Sequence, residues 1–197
     1  MSRKDHGYSL ADILVVLAII GMIAGVAVPQ FNAMRRRTAV RASAAEIRSI
    51  FHDARMRAIT SGTNFGIRFT KYGKEWRYTE YYDGDGDGVR TEDINSGVDR
   101  PLFTPRPVLV TDHGAATIGV LSKTIPDPDG AKLTATSSAV QFGRSSICSF
   151  SPSGECTPGT IYLTDGLGGI YAVRVYGATA KIRTLRFNER RRKWEER

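Results

Sequence analysis

LADILVVLAIIGMIAGVAVPQF, residues 10–31, is the longest apolar run of the chain, and its length and its continuation decide the fold. A bilayer-spanning helix needs about 20 predominantly apolar residues, and this run just reaches that length. Gly21, Gly25 and Pro29 lie within it; they weaken or kink a helix in water, but membrane helices tolerate them. The run is not followed by a clear Ala-x-Ala-like cleavage boundary, although Ala24 to Val28 offers small residues. Asp12 stands two residues into the run. An ionisable group inside a span is costly and is usually kept for a partner or a function; hydration at the headgroup level is the plainer alternative.

The helical pattern continues beyond Phe31. Val40, Ala44, Ile47, Phe51, Ala54 and Ala58 recur at alternating steps of four and three, which makes one apolar stripe on a continuing helix. Ser61-Gly62 supplies a stop. One helix is therefore expected from about residue 9 to residue 61, its first half apolar all round and its second half amphipathic. The first half calls for lipid or other helices, the second for one protein face.

After Gly62 the period changes to two. Candidate strands lie at 65–69, 76–81, 108–110, 117–120, 139–142, 161–163, 171–175 and 182–185, punctuated by Gly, Pro and Asp. The expected class is α+β, with a long N-terminal helix packed on an antiparallel β-sheet or a β-sandwich-like globular domain over 63–187. Residues 188–197 read as a basic flexible tail.

The chain has 197 residues, a formal net charge of +8 and two cysteines. The charge favours acidic partners without selecting one. Cys148 and Cys156 are spaced for a disulfide across a hairpin, which implies an oxidising compartment; two free thiols are the alternative. His6, His52 and His113 are scattered. No serine has a nucleophile-elbow context and no histidine has a convincing partner in sequence, so no enzymatic activity and no catalytic residue are expected.

Two further segments carry chemistry. Asp83, Asp85 and Asp87 alternate with glycines and Gly88 follows, matching the first half of a calcium loop; Ile94 stands where the bidentate acid belongs. A solvated hairpin loop with no cofactor is the competing reading. Lys181, Arg183 and Arg186 are read as cations on one strand face, followed by Arg190-Arg191-Arg192-Lys193 and Trp194. Phosphate tracking along DNA with base stacking is one use of such a pattern, and a solvated basic end is the other.

Gly7-Tyr8-Ser9-Leu10-Ala11-Asp12-Ile13, with the bare apolar run and with Gly21 and Pro29, resembles the prepilin signature of type IV pilins and pseudopilins. Tyr8 stands for the usual Phe and Asp12 for the usual Glu. The resemblance implies a leader over 1–7, cleavage between Gly7 and Tyr8 by a prepilin peptidase, and N-methylation of Tyr8. It further implies a transmembrane and assembly helix over 8–31, continued as an amphipathic helix over 32–62. Asp12 would form a charge pair with the new amine of a neighbouring subunit, since either charge buried alone is costly. Arg35, Arg36, Arg37 and Arg41 after the span argue by charge bias for a cytoplasmic domain; the resemblance implies a single-pass inner-membrane protein with its C-terminal domain in the periplasm. Ala54 to Ile59, the Asp-rich loop and Phe150-Ser151-Pro152-Ser153-Gly154 narrow the resemblance to the GspH/FimT group of minor pseudopilins and minor pilins. That implies a non-enzymatic subunit at or near the tip of a type II secretion pseudopilus or a type IV pilus, with other pilins as partners. Some members bind DNA in natural transformation through a Gly-Arg-x-Arg element, where Ala180-Lys181-Ile182-Arg183 stands here. A DNA-binding minor pilin of a competence pilus is thus the alternative function.

Overall fold

The computed structural model describes residues 10–73, 75–108 and 116–197. It divides into two units, one ending at Arg36 and the other Arg37–Arg197. The first unit carries the opening of α1 (Leu10–Ser61). Every side chain from Leu10 to Arg35 is exposed. An 18-residue window there has a mean hydropathy of 2.6 with none of it buried, so the helix is long and apolar enough to cross a membrane. Pro29 lies inside α1 without ending it. Proline removes one amide and crowds the carbonyl four residues earlier, which here belongs to Gly25.

In the second unit α1 buries Val40, Ser43, Ala44, Ile47, Phe51, Ala54 and Ala58. These include all six residues of the expected stripe. Ser43 satisfies its hydroxyl by donating to the Ala39 carbonyl at 3.0 Å. The alanines keep the helix slim against the sheets, and Phe51 fills the space between them. Its ring meets those of Phe69, Phe142 and Phe150 at centroid distances of 5.9, 5.8 and 6.2 Å. The helix stops where Gly62 takes a left-handed φ of 69° and its amide donates to the Ala58 carbonyl at 3.1 Å.

The chain then runs through β1 (Phe65–Tyr72), β2 (Glu75–Tyr82), a short helix α2 (Thr91–Ser96), β3 (Arg100–Pro101) and β4 (Arg106–Pro107). Next come β5 (Thr117–Ile118), β6 (Ile125–Pro126), β7 (Lys132–Leu133), β8 (Val140–Gln141) and β9 (Ile147–Phe150). The last four are β10 (Gly159–Thr164), β11 (Ile170–Tyr176), β12 (Lys181–Asn188) and β13 (Lys193–Glu196). The first sheet has the order β3-β2-β1-β9 with β4 also on β2, and the second has the order β13-β12-β11-β10-β5 with β8 also on β10. The pairings between these strands are antiparallel. The α+β class is as the sequence led us to expect. Residues from α1 and from both sheets, among them Phe51, Ile67, Phe150, Ile161 and Val173, share one buried core.

The second sheet has a further core on its other face. Leu121, Ile125, Leu133, Tyr162, Ala172, Leu185 and Phe187 pack there, with Trp194 against them. This corrects the reading of 188–197 as a flexible tail. β13 pairs with β12 through Leu185↔Glu196 to Asn188↔Lys193. Trp194 places its ring 5.4 Å from Phe187 and donates its indole N–H to the Pro126 carbonyl at 2.8 Å. One aromatic anchor in a charged segment is a weak sequence signal, yet it secures the hairpin. Of the expected strand at 108–110, Val108 lies outside any strand and the other two residues lie outside the described ones.

The packing predicts a contrast between two phenylalanines. Phe51 is fully buried and Phe31 is 63% exposed. Phe51→Ala should destabilise the Arg37–Arg197 unit by about 3–5 kcal/mol in urea unfolding of the full chain in detergent. Phe31→Ala should change it by no more than about 0.5 kcal/mol. Equal effects would contradict the assignment of the core.

Candidate functional site

In the first unit, the site is the apolar surface of α1 itself. A helix that is hydrophobic all round must be covered by something, and among the described residues nothing covers it: Leu14, Leu17, Ile20, Ile23 and Val26 are 55–63% exposed. Asp12 is in the first turn and exposed. The unpaired amides and the dipole of a helix N-terminus favour an acid at that position. A Cβ added at Gly21 or Gly25 would meet nothing within 4 Å, so packing within the chain does not require either glycine. Four residues apart, they lie on one side of the helix, where small residues let another helix approach closely. This Gly-x-x-x-Gly spacing is legible in the sequence, though counting the two glycines only as helix weakeners hides it. Gly7 and Tyr8 lie outside the described residues.

In the second unit, the Asp-rich loop is built around Asp83. Its Oδ1 accepts the amides of Asp85 at 3.1 Å and Gly86 at 2.8 Å. Its Oδ2 accepts the Gly88 amide at 2.8 Å and the Asn64 side-chain amide at 2.5 Å. Burial pushes the Asp83 carboxyl up, but the bonds from Asn64, Gly86, Gly88 and Asp85 outweigh it and hold the group down at about 2. Asp99, only 1% exposed, does a matching job: it accepts the amides of Gly84 at 3.1 Å and Arg90 at 2.9 Å. Gly84 is needed for close approach, since a Cβ there would lie 2.2 Å from the Val98 carbonyl oxygen.

Asp83, Asp85 and Asp87 each offer a carboxylate oxygen within 4.8 Å of the others. Desolvation raises the Asp87 carboxyl, Arg90 pulls it down as an ion-pair partner, and the Asp85 charge pushes it up. Calcium takes six to eight oxygens. This loop gathers three carboxylates for such an ion, and Glu92 and Asp93 are not among them.

Beside the loop runs an open groove of about 890 Å³, lined among others by Asp87, Arg90, Glu92, Arg144, Glu155 and Cys156. Its far wall is the turn after β9. Cys148 is buried in β9 and Cys156 is half-buried. Both are free thiols.

The cations of β12 do not share one face. Side chains alternate along a strand, and the structure divides them accordingly. Ile182 packs in the main core, while Leu185 and Phe187 pack in the second. Lys181 and Arg183 therefore lie on the side of Leu185, and Arg186 on the side of Ile182. This corrects the expectation of a single cationic face. Arg183 is also engaged: Glu196 is 3.2 Å away and the Tyr176 ring 5.6 Å away. Its cross-strand neighbour Arg174 pairs with Asp129.

A family model described as type II transport protein GspH matches residues 43–180. Searches of curated proteins and of solved structures returned no match.

The Asp83 geometry gives a pH-dependent prediction. Its carboxyl is lowered in the folded protein, so its stabilisation is present above about pH 4, the unfolded value. It is lost as pH falls through about 2. Asp83→Asn should lower stability at pH 7 by on the order of 1–2 kcal/mol. In urea unfolding at stepped pH the difference should shrink steadily between pH 4 and 2. A difference independent of pH would show that the charge on Asp83 is not what organises the loop.

Proposed function

The chain belongs to the type II transport protein GspH family, and on that footing we propose that it is a minor pseudopilin assembled at the tip of a secretion pseudopilus. In this reading a prepilin peptidase cuts between Gly7 and Tyr8, and the new Tyr8 amine is N-methylated. The opening of α1 then holds the subunit in the inner membrane, with the Arg37–Arg197 unit in the periplasm. The observation that carries the proposal is the uncovered apolar opening of α1, with Asp12 in its first turn. The family match begins at residue 43, so the roles of Gly7, Tyr8 and Asp12 rest on those residues and their spacing.

Physical chemistry supplies the mechanism. A subunit in the bilayer has its apolar helix covered by lipid. Within a filament, helices of other subunits replace the lipid, with Gly21 and Gly25 admitting a close neighbour. Water is excluded from such a bundle, and a lone carboxylate or ammonium there is costly by several kcal/mol. The Asp12 carboxylate of one subunit and the Tyr8 amine of another remove that cost by pairing. The pair thereby selects one axial register. Asp is one methylene shorter than Glu, so the paired helices must come closer. The family is one of structural subunits; the work of assembly falls to partners, namely other pseudopilins and an assembly motor. The competence-pilus alternative draws on Lys181, Arg183 and Arg186. With Arg186 on the other face and Arg183 engaged by Glu196, we keep to the secretion reading.

Two measurements check this. Intact-mass analysis of the mature protein should find a chain beginning at N-methylated Tyr8; a chain beginning at Met1 or after Ala27 contradicts processing. Asp12→Ala should reduce incorporation into sheared filaments by about tenfold or more, with the folded domain intact by circular dichroism. Normal incorporation of Asp12→Ala contradicts the charge pair.

A further inference from the structure

The turn between the two sheets is flanked by the only cysteines of the chain, Cys148 in β9 and Cys156 after the turn. After β9 the chain reverses through Ser151–Gly154, with the Gly154 amide donating to the Ser151 carbonyl at 3.1 Å. It returns alongside itself, pairing Phe150 with Cys156. The Thr157 amide donates to the Ser149 carbonyl at 2.8 Å, which fixes this short ladder. Cys148 and Phe150 share one side of β9, and Cys156 faces Phe150. The two cysteines are therefore diagonal neighbours on one side of the ladder; the Cys148 thiol donates to the Thr157 carbonyl at 3.7 Å and the Cys156 thiol to the Tyr176 carbonyl at 3.5 Å. The Cys156 amide donates to the Gly177 carbonyl at 2.9 Å, so its backbone is held at the end of β11. Cys148 belongs to a strand of the first sheet, while Cys156 sits three residues before β10 of the second.

We propose that Cys148 and Cys156 are joined as a disulfide once the domain meets an oxidising compartment, stapling the crossing between the two sheets. This goes beyond the assembly role; the proposed periplasmic placement supplies the compartment. The ladder holds the two backbones side by side with both thiols on the same side, and closure requires the thiols to leave the Thr157 and Tyr176 carbonyls and turn toward each other. The two sulfurs have different parts. The adjacent Cys148 thiol lowers the Cys156 thiol, burial opposes this, and the Arg55 charge assists it. Burial pushes the Cys148 thiol well up. The half-buried Cys156, on the groove wall, is therefore the attacking thiolate. It attacks a small-molecule or protein disulfide, forms a mixed disulfide and expels one thiolate of the donor. Cys148 then gives up its proton and attacks the Cys156 sulfur, expelling the donor's second thiolate. Two thiols are oxidised, one donor disulfide is reduced to two thiols, and the proton count balances.

The test uses the full chain, purified reduced in detergent and exposed to oxidised glutathione. Alkylation followed by intact-mass and peptide analysis should find the monomer lighter by two hydrogens, unlabelled, with the peptides carrying Cys148 and Cys156 linked. Adding reductant should then lower the melting temperature by roughly 5–10 °C. Cys156→Ser should leave Cys148 slow to alkylate until the chain is denatured. Alkylation of both cysteines after glutathione treatment, or pairing between chains, overturns the proposal. The same analysis on protein taken from cells without reductant tests placement separately. If the pair closes with glutathione but stays reduced in cells, the periplasmic placement fails and the pairing stands.

Discussion

One helix with two environments governs this molecule. From Val40 to Ala58, α1 turns a single stripe toward a core made by both sheets. From Leu10 to Arg35 its side chains are uncovered. The hydrophobic effect alone makes such a segment unstable in water, since each fully exposed Leu, Ile or Val forgoes about 1.5–3 kcal/mol available from burial. The missing cover must come from lipid or from other helices. The Arg37–Arg197 unit is built on the second half of the helix, and the proposed assembly role answers the need to cover the first.

The domain meets its own constraints with few devices. Phe51 joins three other rings at the centre, and the alanines of the stripe keep the helix close to the sheets. The Asp-rich loop is organised by carboxylates that accept backbone amides, Asp83 from within the loop and Asp99 from beyond α2. These bonds come from the chain's own groups, and the carboxylates of Asp83, Asp85 and Asp87 lie close together beside them. Past the second sheet, Trp194 and Tyr162 close a smaller core that holds the C-terminal hairpin.

Much of this was legible in the residues. The stripe could be read because helical period and burial coincide over Val40 to Ala58. β1, β2, β10, β11 and β12 could be read because their apolar residues recur within short runs bounded by Gly, Pro and Asp. β9 was harder to see: Cys148, Ser149 and Phe150 run directly into a Ser-Pro-Ser-Gly turn, so the whole segment looks like a loop. Its strand character comes from pairing with β1, where Phe65 faces Phe150. β13 is hidden by charge, with Trp194 its one apolar anchor. The role of Asp99 depends on partners fifteen and nine residues away, which local pattern does not reveal. The cations of β12 illustrate the reverse case. Strand alternation, applied strictly, separates Arg186 from Lys181 and Arg183 from the residue numbers alone.

The central claim is that helices of other subunits cover the opening of α1 in the assembled state. A photo-crosslinking amino acid at Leu17, one turn before Gly21 on the same side of α1 and itself exposed, activated in intact assembled filaments, tests it most directly. The account predicts a crosslink to the apolar N-terminal helix of another pseudopilin, identified by mass spectrometry. Crosslinks to lipid alone, with none to a neighbouring subunit, would contradict it.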